Sequence, residues 1–199
     1  MREEAANVVE CCKFPAKKRY LCHLSVKGMV KTLSDRIEAN RKEYYRLLND
    51  SDYTDVRFNE KTGGLSAIHL KHSFDPTIGK FGIPRGDYER ISLDVLYEYG
   101  NSVILGSEKL GRKIRAIEGY LNGNPFDIKG IEGTGKRNFI DKISDAANKG
   151  ANTIVLYFHD ESVFDRQRII NAYRGYLKLS KTNRIQSVYF INNNKLHKL

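Results

Sequence analysis

Apolar residues along this chain recur with two different periods, and the alternation between them divides it into elements. Helical spacing comes first in Gly28 to Asn49, where Met29, Leu33, Ile37, Tyr44 and Leu48 form a stripe with Lys31, Arg36, Arg41, Lys42 and Arg46 around it. The same spacing predicts a helix over Asp87 to Tyr99, on Tyr88, Ile91, Val95, Leu96 and Tyr99, with Pro84 and Gly86 before it and Gly100 closing it. A third helix is predicted over Lys136 to Lys149, with Phe139, Ile140, Ile143, Ala146 and Ala147 inward and Gly150 as its stop. A fourth follows Ser162 as its cap, with Ile169, Ile170, Tyr173 and Leu177 inward.

Between these helices lie predicted strands at Ser102–Leu105, Ile114–Leu121, Phe126–Ile131, Thr153–Phe158 and Ile185–Ile191. The unbroken run TIVLYF fits a central strand covered on both faces. Met1 to Cys12 reads as a short helix, Phe14 to Arg19 as a basic connector, Asp50 to Pro76 as turn residues around a short apolar segment, and NNNKLHKL as a polar tail. The order implies an α/β (α+β) fold, a mixed central sheet flanked by helices, occupying residues 61–199 after a helical N-terminal extension over residues 1–60.

Chemistry concentrates in one hairpin, IEGYLNGNPFDIKG, with Asn122 to Pro125 as its connection. Alternation along the second strand puts Asp127 and Lys129 on one face and Phe126 and Ile128 on the other, toward a core. Closing the hairpin brings Glu118 beside that pair. Two carboxylates and an ammonium suit a hard divalent cation, Mg²⁺ or Mn²⁺, with a fixed positive charge next to it, which is an apparatus for phosphodiester hydrolysis. A surface hairpin carrying a solvated Asp127–Lys129 pair is the plainer alternative.

Composition narrows the class of partner. With 40% hydrophobic and 29% charged residues in 199, the chain has ordinary globular usage. Its net charge of +10 favours a polyanion, nucleic acid before membrane. Neither a long apolar run nor a signal-peptide core is present, and Cys11, Cys12 and Cys22 are too clustered for a disulfide framework, so reduced thiols in a cytoplasmic setting are expected. A CC-x9-CH zinc site with His23 lacks the usual paired spacing. His69 and His72, three apart as on one helix face, offer a metal-independent acid/base route to RNA cleavage. A packed histidine and an exposed one is the simpler reading of that pair.

The sequence of elements, with Glu89 on a helix, Glu118 on one strand and Asp127-Ile128-Lys129 on the next, resembles the PD-(D/E)xK, restriction-endonuclease-like nuclease core. More closely, GGLSAIHLKHSFD, GNSVILGSE and FDIKGIEGTGKRNFIDKISDAANKGANTIVLYFHDE are similar to the C-terminal tRNase toxin domain of contact-dependent growth inhibition proteins, segments of which also occur in phage head-morphogenesis-like proteins. The resemblance spans roughly Gly63 to Ile191.

It implies a metal-dependent endonuclease in which Glu118 and Asp127 hold the ion, Glu89 assists, and Lys129 stabilises charge. It also implies tRNA as the substrate and an acidic immunity protein as a partner. Lys109, Arg112, Lys113, Lys136 and Arg137 would meet phosphates. The chain departs from the pattern at Glu118, where an aspartate after proline is usual, and at Asn138 and Asn148, where many members place a glutamine. A DNA endonuclease with the same residues and a non-catalytic binding module remain open alternatives.

Overall fold

The computed structural model describes residues 32–107 and 117–199. Arg36–Leu199 forms one compact unit. Its elements are α1 (Leu33–Leu48), β1 (Tyr53–Phe58), β2 (Leu65–His69), α2 (Arg85–Glu98), β3 (Ser102–Leu105), β4 (Gly119–Leu121), β5 (Asn124–Ile131), α3 (Lys136–Lys149), β6 (Thr153–Phe158), a 3₁₀ turn at Glu161–Val163, α4 (Arg166–Leu179), β7 (Ser187–Asn192) and β8 (Lys195–Lys198). The expected boundary at residue 60 therefore moves. Residues 36–60 belong to the unit because β1 pairs with β2, and Leu47 of α1 packs on Leu65 and Ala67.

The eight strands among the described residues join one mixed sheet in chain order, β1 to β8. The pairs β2–β3, β5–β6 and β6–β7 are parallel and the rest antiparallel. Strand β6 is buried along its whole length, and alternation sends Ile154, Leu156 and Phe158 to one face and Val155 and Tyr157 to the other. The first set packs with Phe139, Ile143, Ile169 and Ala172 of α3 and α4; the second packs with Tyr88, Leu93 and Leu96 of α2. The molecule is thus a mixed α+β protein with helices on both faces of the sheet. Among the described residues no helix is long and apolar enough to cross a membrane.

Local chemistry accounts for several boundaries. Asn122 and Gly123 (φ 51° and 78°) make a two-residue hairpin turn, so Asn124 and Pro125 belong to β5 and not to the connection. Asn193 and Asn194 (φ 48° and 57°) do the same between β7 and β8, which turns the expected polar tail into an edge strand. Helix α4 is capped by Asp165, whose carboxylate accepts from Arg168 N at 3.1 Å; Ser162 instead lies in the preceding 3₁₀ turn. In α1 the buried residue is Leu47, while Leu33 and Leu48 of the predicted stripe face solvent.

The close approach of β3 to β4 requires Gly119, because a Cβ there would collide with the carbonyl of Ile104. Backbone cannot swing aside as a side chain can. Gly119→Ala is therefore expected to lower the unfolding free energy by about 2 kcal/mol or more, whereas Gly135→Ala, with open space at its Cβ, stays within about 0.5 kcal/mol. Urea denaturation of both variants checks this contrast.

Candidate active site

A notch in the sheet positions the candidate chemistry. Strand β4 is three residues long and its pairing with β5 ends at Gly119–Phe126, but β5 runs on through Ile131, paired only with β6 among the described residues. Glu118 sits at the lip, fixed from both sides: its N–H donates to Phe126 O (3.1 Å) and its carbonyl accepts from Gly106 N (2.7 Å). The N-terminal part of α2, the segment around His72 and one face of α3 converge on this opening. A cavity of about 290 Å³ lies there, lined by residues that include Tyr88, Glu89, Glu118, Lys129, Lys142 and Lys149.

Asp127 and Lys129 share a face of β5, as alternation requires, but that face is covered by α3. Asp127 is completely buried. Lys129 Nζ lies 2.7 Å from its Oδ2 and 2.8 Å from Asp145 Oδ2, while Lys149 Nζ donates to Oδ1 at 3.1 Å. At 2.7 Å the Lys129 ammonium is the charge partner of Oδ2. Burial opposes charge on Lys129, but Asp127 and Asp145 outweigh it and hold the ammonium above the ordinary lysine range. The solvated surface pair is thereby excluded; Phe126 and Ile128 face a core as expected, and the opposite face is covered as well.

The second group is His72, Glu89 and Glu118, whose potential ligand atoms all lie within 4.8 Å of one another. Glu89 comes from the first turns of α2. The loop before that helix is clamped to it: Arg85 N donates to Thr77 O (2.9 Å), Gly86 N to Asp75 O (2.8 Å), and the Arg90 guanidinium lies 3.6 Å over the Phe74 ring. His72 Nδ1 is 3.0 Å from Gly106 O and its Nε2 is 3.4 Å from Glu89 Oε2. His72 Nε2, Glu89 Oε2 and Glu118 Oε2 are buried without hydrogen-bond partners. Orphaned acceptors turned toward one another are costly unless a proton or a cation lies among them, and by ligand type and spacing this set is one a divalent ion could use.

Burial and neighbouring charge act most strongly on Glu118. Burial first, then Glu89 and Asp127, push its carboxyl from 4.5 up to about 9, against a weaker opposing pull from Lys149. Lys149 is 3.8 Å away and already engaged by Asp127, so it does not neutralise Glu118. Around the rim, Arg85 approaches Glu132 at 3.6 Å and Tyr88 OH donates to the same carboxylate at 3.3 Å. Burial, and then Lys129 and Arg85, depress the Lys142 ammonium below its ordinary value.

Among the expected residues, Glu89, Glu118, Asp127 and Lys129 are brought together, and His72 joins them. His69 does not: it ends β2, against Tyr53, with Nδ1 accepting from Lys71 N at 3.0 Å. The two histidines share no helix face, because strand and turn occupy that segment. Asn138 donates to Gly133 O at 3.3 Å and Asn148 is exposed, so neither reaches the cluster. Lys109, Arg112 and Lys113, the side chains of Lys136 and Arg137, and Cys11, Cys12, Cys22 and His23 lie outside the described residues.

Lys142, Asp145 and Lys149 were not anticipated, though their i, i+3, i+7 spacing on α3 is a polar stripe that a sequence reading could have picked out. No family model, curated protein or solved structure matches this chain.

A carboxyl protonated in the folded state and ionised in the unfolded one stabilises the fold fully only below pH 4.5, and the gain is lost as pH rises toward 9. In EDTA, Glu118→Gln should match the parent near pH 5 and exceed it by about 1 to 3 kcal/mol at pH 8. Thermal melts across that range decide; parallel curves would mean that Glu118 ionises at its ordinary value.

Proposed function

We propose that this chain is a metal-dependent endonuclease hydrolysing phosphodiester bonds in RNA, with tRNA as the favoured substrate, and that its sheet and helices are a PD-(D/E)xK, restriction-endonuclease-like core. The observation that carries the reading is the convergence of Glu89, Glu118 and Lys129 at a cavity whose wall also bears Arg85, Lys142 and Lys149, with Asp127 buried against Lys129 and Lys149. The order of helix, strand, hairpin, helix and strand that delivers these residues supports the core assignment.

A divalent ion held by Glu118 and Glu89, with Asp127 adjoining, would supply neutralisation of the phosphate charge and a more acidic water. Lys129, kept charged by Asp127 and Asp145, is placed to stabilise negative charge on the phosphorus centre and is unsuited to accept a proton. Lys142 and Arg85 approach the same cavity as phosphate contacts. This chemistry needs no 2′-hydroxyl, so DNA is a second substrate for the same residues. The choice of RNA rests on the toxin resemblance, as does an acidic immunity partner drawn to the chain's +10 charge.

The test is incubation of total tRNA and of plasmid DNA with the purified protein in Mg²⁺, in Mn²⁺ and in EDTA. Loss of tRNA that requires metal is expected, and Asp127→Asn and Lys129→Met, shown to be folded by circular dichroism and melting, should slow it by about 100-fold or more. Lys142→Met should weaken substrate binding by about tenfold while leaving the metal requirement intact. Cleavage that persists in EDTA and in both site variants overturns the metal mechanism, and absence of any cleavage makes a binding module the better account.

A further inference from the structure

We infer that the ion at this site is held through a nitrogen ligand, His72 Nε2, together with Glu89 and Glu118, and that the site takes a first-row transition ion such as Mn²⁺ in preference to Mg²⁺. The inference rests on the metal-dependent reading above and adds the ligand that sets which metal is used.

Tautomer and orientation carry the argument. The His72 side chain is fully buried. Its Nδ1 lies 3.0 Å from the carbonyl oxygen of Gly106, and a carbonyl can only accept, so Nδ1 bears the hydrogen. The lone pair of the neutral ring is then on Nε2, the atom that faces Glu89 and Glu118 and has no hydrogen-bond partner. The Phe74 ring stands edge-on to the imidazole at 4.7 Å and 82°, which fixes its plane. A ring held at one nitrogen by a backbone carbonyl, with the other directed at carboxylates, is the outer support that a ligating histidine uses.

Asp127 is the less available donor, because each of its oxygens already faces an ammonium. An imidazole nitrogen in the set disfavours Mg²⁺, which prefers oxygen and keeps its waters, and favours ions later in the first transition row. The competing account of the 3.4 Å contact is a protonated His72 paired with Glu89, with no role in metal binding.

The experiment is titration of the full chain, without nucleic acid, with Mn²⁺ and with Mg²⁺ by calorimetry, followed by electron spin-echo envelope modulation of bound Mn²⁺. Expected are Mn²⁺ binding tighter than Mg²⁺ by about tenfold or more and modulation from a directly bound ¹⁴N. In His72→Asn, whose amide can still donate to the Gly106 carbonyl, the ¹⁴N signal should vanish and the preference should shrink by about tenfold. Bound Mn²⁺ without ¹⁴N coupling in the parent protein overturns the role of His72 while leaving the metal-dependent reading standing; that outcome needs no variant to fold. A ¹⁴N signal and preference unchanged in His72→Asn overturn it equally. Binding of neither ion overturns both readings, and nuclease activity that survives EDTA identifies the metal mechanism as the failed premise.

Discussion

The site depends on one buried carboxylate and the two ammonium groups that grip it. Asp127 has no exposed surface, and burying its carboxylate is offset by Lys129 at one oxygen and Lys149 at the other. Lys129 is its neighbour on β5; Lys149 is at the end of α3, where a cation also complements the helix dipole. Lys129 continues to Asp145, one turn earlier in α3. Charge therefore pins the helix to the strand at two levels, and the side chains at the cavity are held by the fold itself. Removing one partner of such a group commonly costs about 3 to 5 kcal/mol, because it strands the others.

Backbone length supplies the space. Pairing of β4 with β5 stops at Gly119–Phe126, and among the described residues the flank of β5 beyond it is left to the cavity. Gly119 and Gly130 bear on the same opening. Gly119 brings the short strand against β3, and at Gly130 a Cβ would run into the Tyr88 ring, which lies against Tyr157 at 5.3 Å. That aromatic contact seats α2 at the height where Glu89 meets Glu118. Glu89 comes from α2, Glu118 from the residue before β4 and Asp127 from β5, and β5 is the common support, since Glu118 N–H donates to Phe126 O and Tyr88 of α2 lies over Gly130.

What could be read from the sequence follows the strength of its pattern. Helix α3 and strand β6 were legible to the residue, because fourteen positions of amphipathic spacing ending in Gly150, at φ 104°, and a threonine followed by five continuous apolar positions admit few other structures. Edge strands were not: β1 carries a register shift, β8 is half lysine, and their pairing is decided by neighbours far along the chain. Glu118, Asp127 and Lys129 could be grouped because a hairpin is local. Glu89 entered only through resemblance, and His72 as a partner for His69, since no spacing reveals that the segment before a helix folds back onto the end of β3. Lys149 and Asp145 went unnoticed for a related reason, as charges on a helix are by default its solvated side.

The balance of charge around the cluster bears on how an ion and a polyanion would meet there. The chain as a whole is strongly basic, yet its cavity has Glu89 and Glu118 at its floor and Asp75 and Glu132 in its wall. Without a cation these carboxylates repel a phosphate that Arg85, Lys142 and Lys149 attract, and Glu118 relieves part of the conflict by holding a proton. A divalent ion would displace that proton and turn the floor of the cavity from repulsive to attractive. By linkage the effect is mutual: an ion that strengthens phosphate binding must itself be bound more tightly when phosphate is present. On the proposed function, an acid-rich centre inside a basic protein would make metal and phosphate binding reinforce each other.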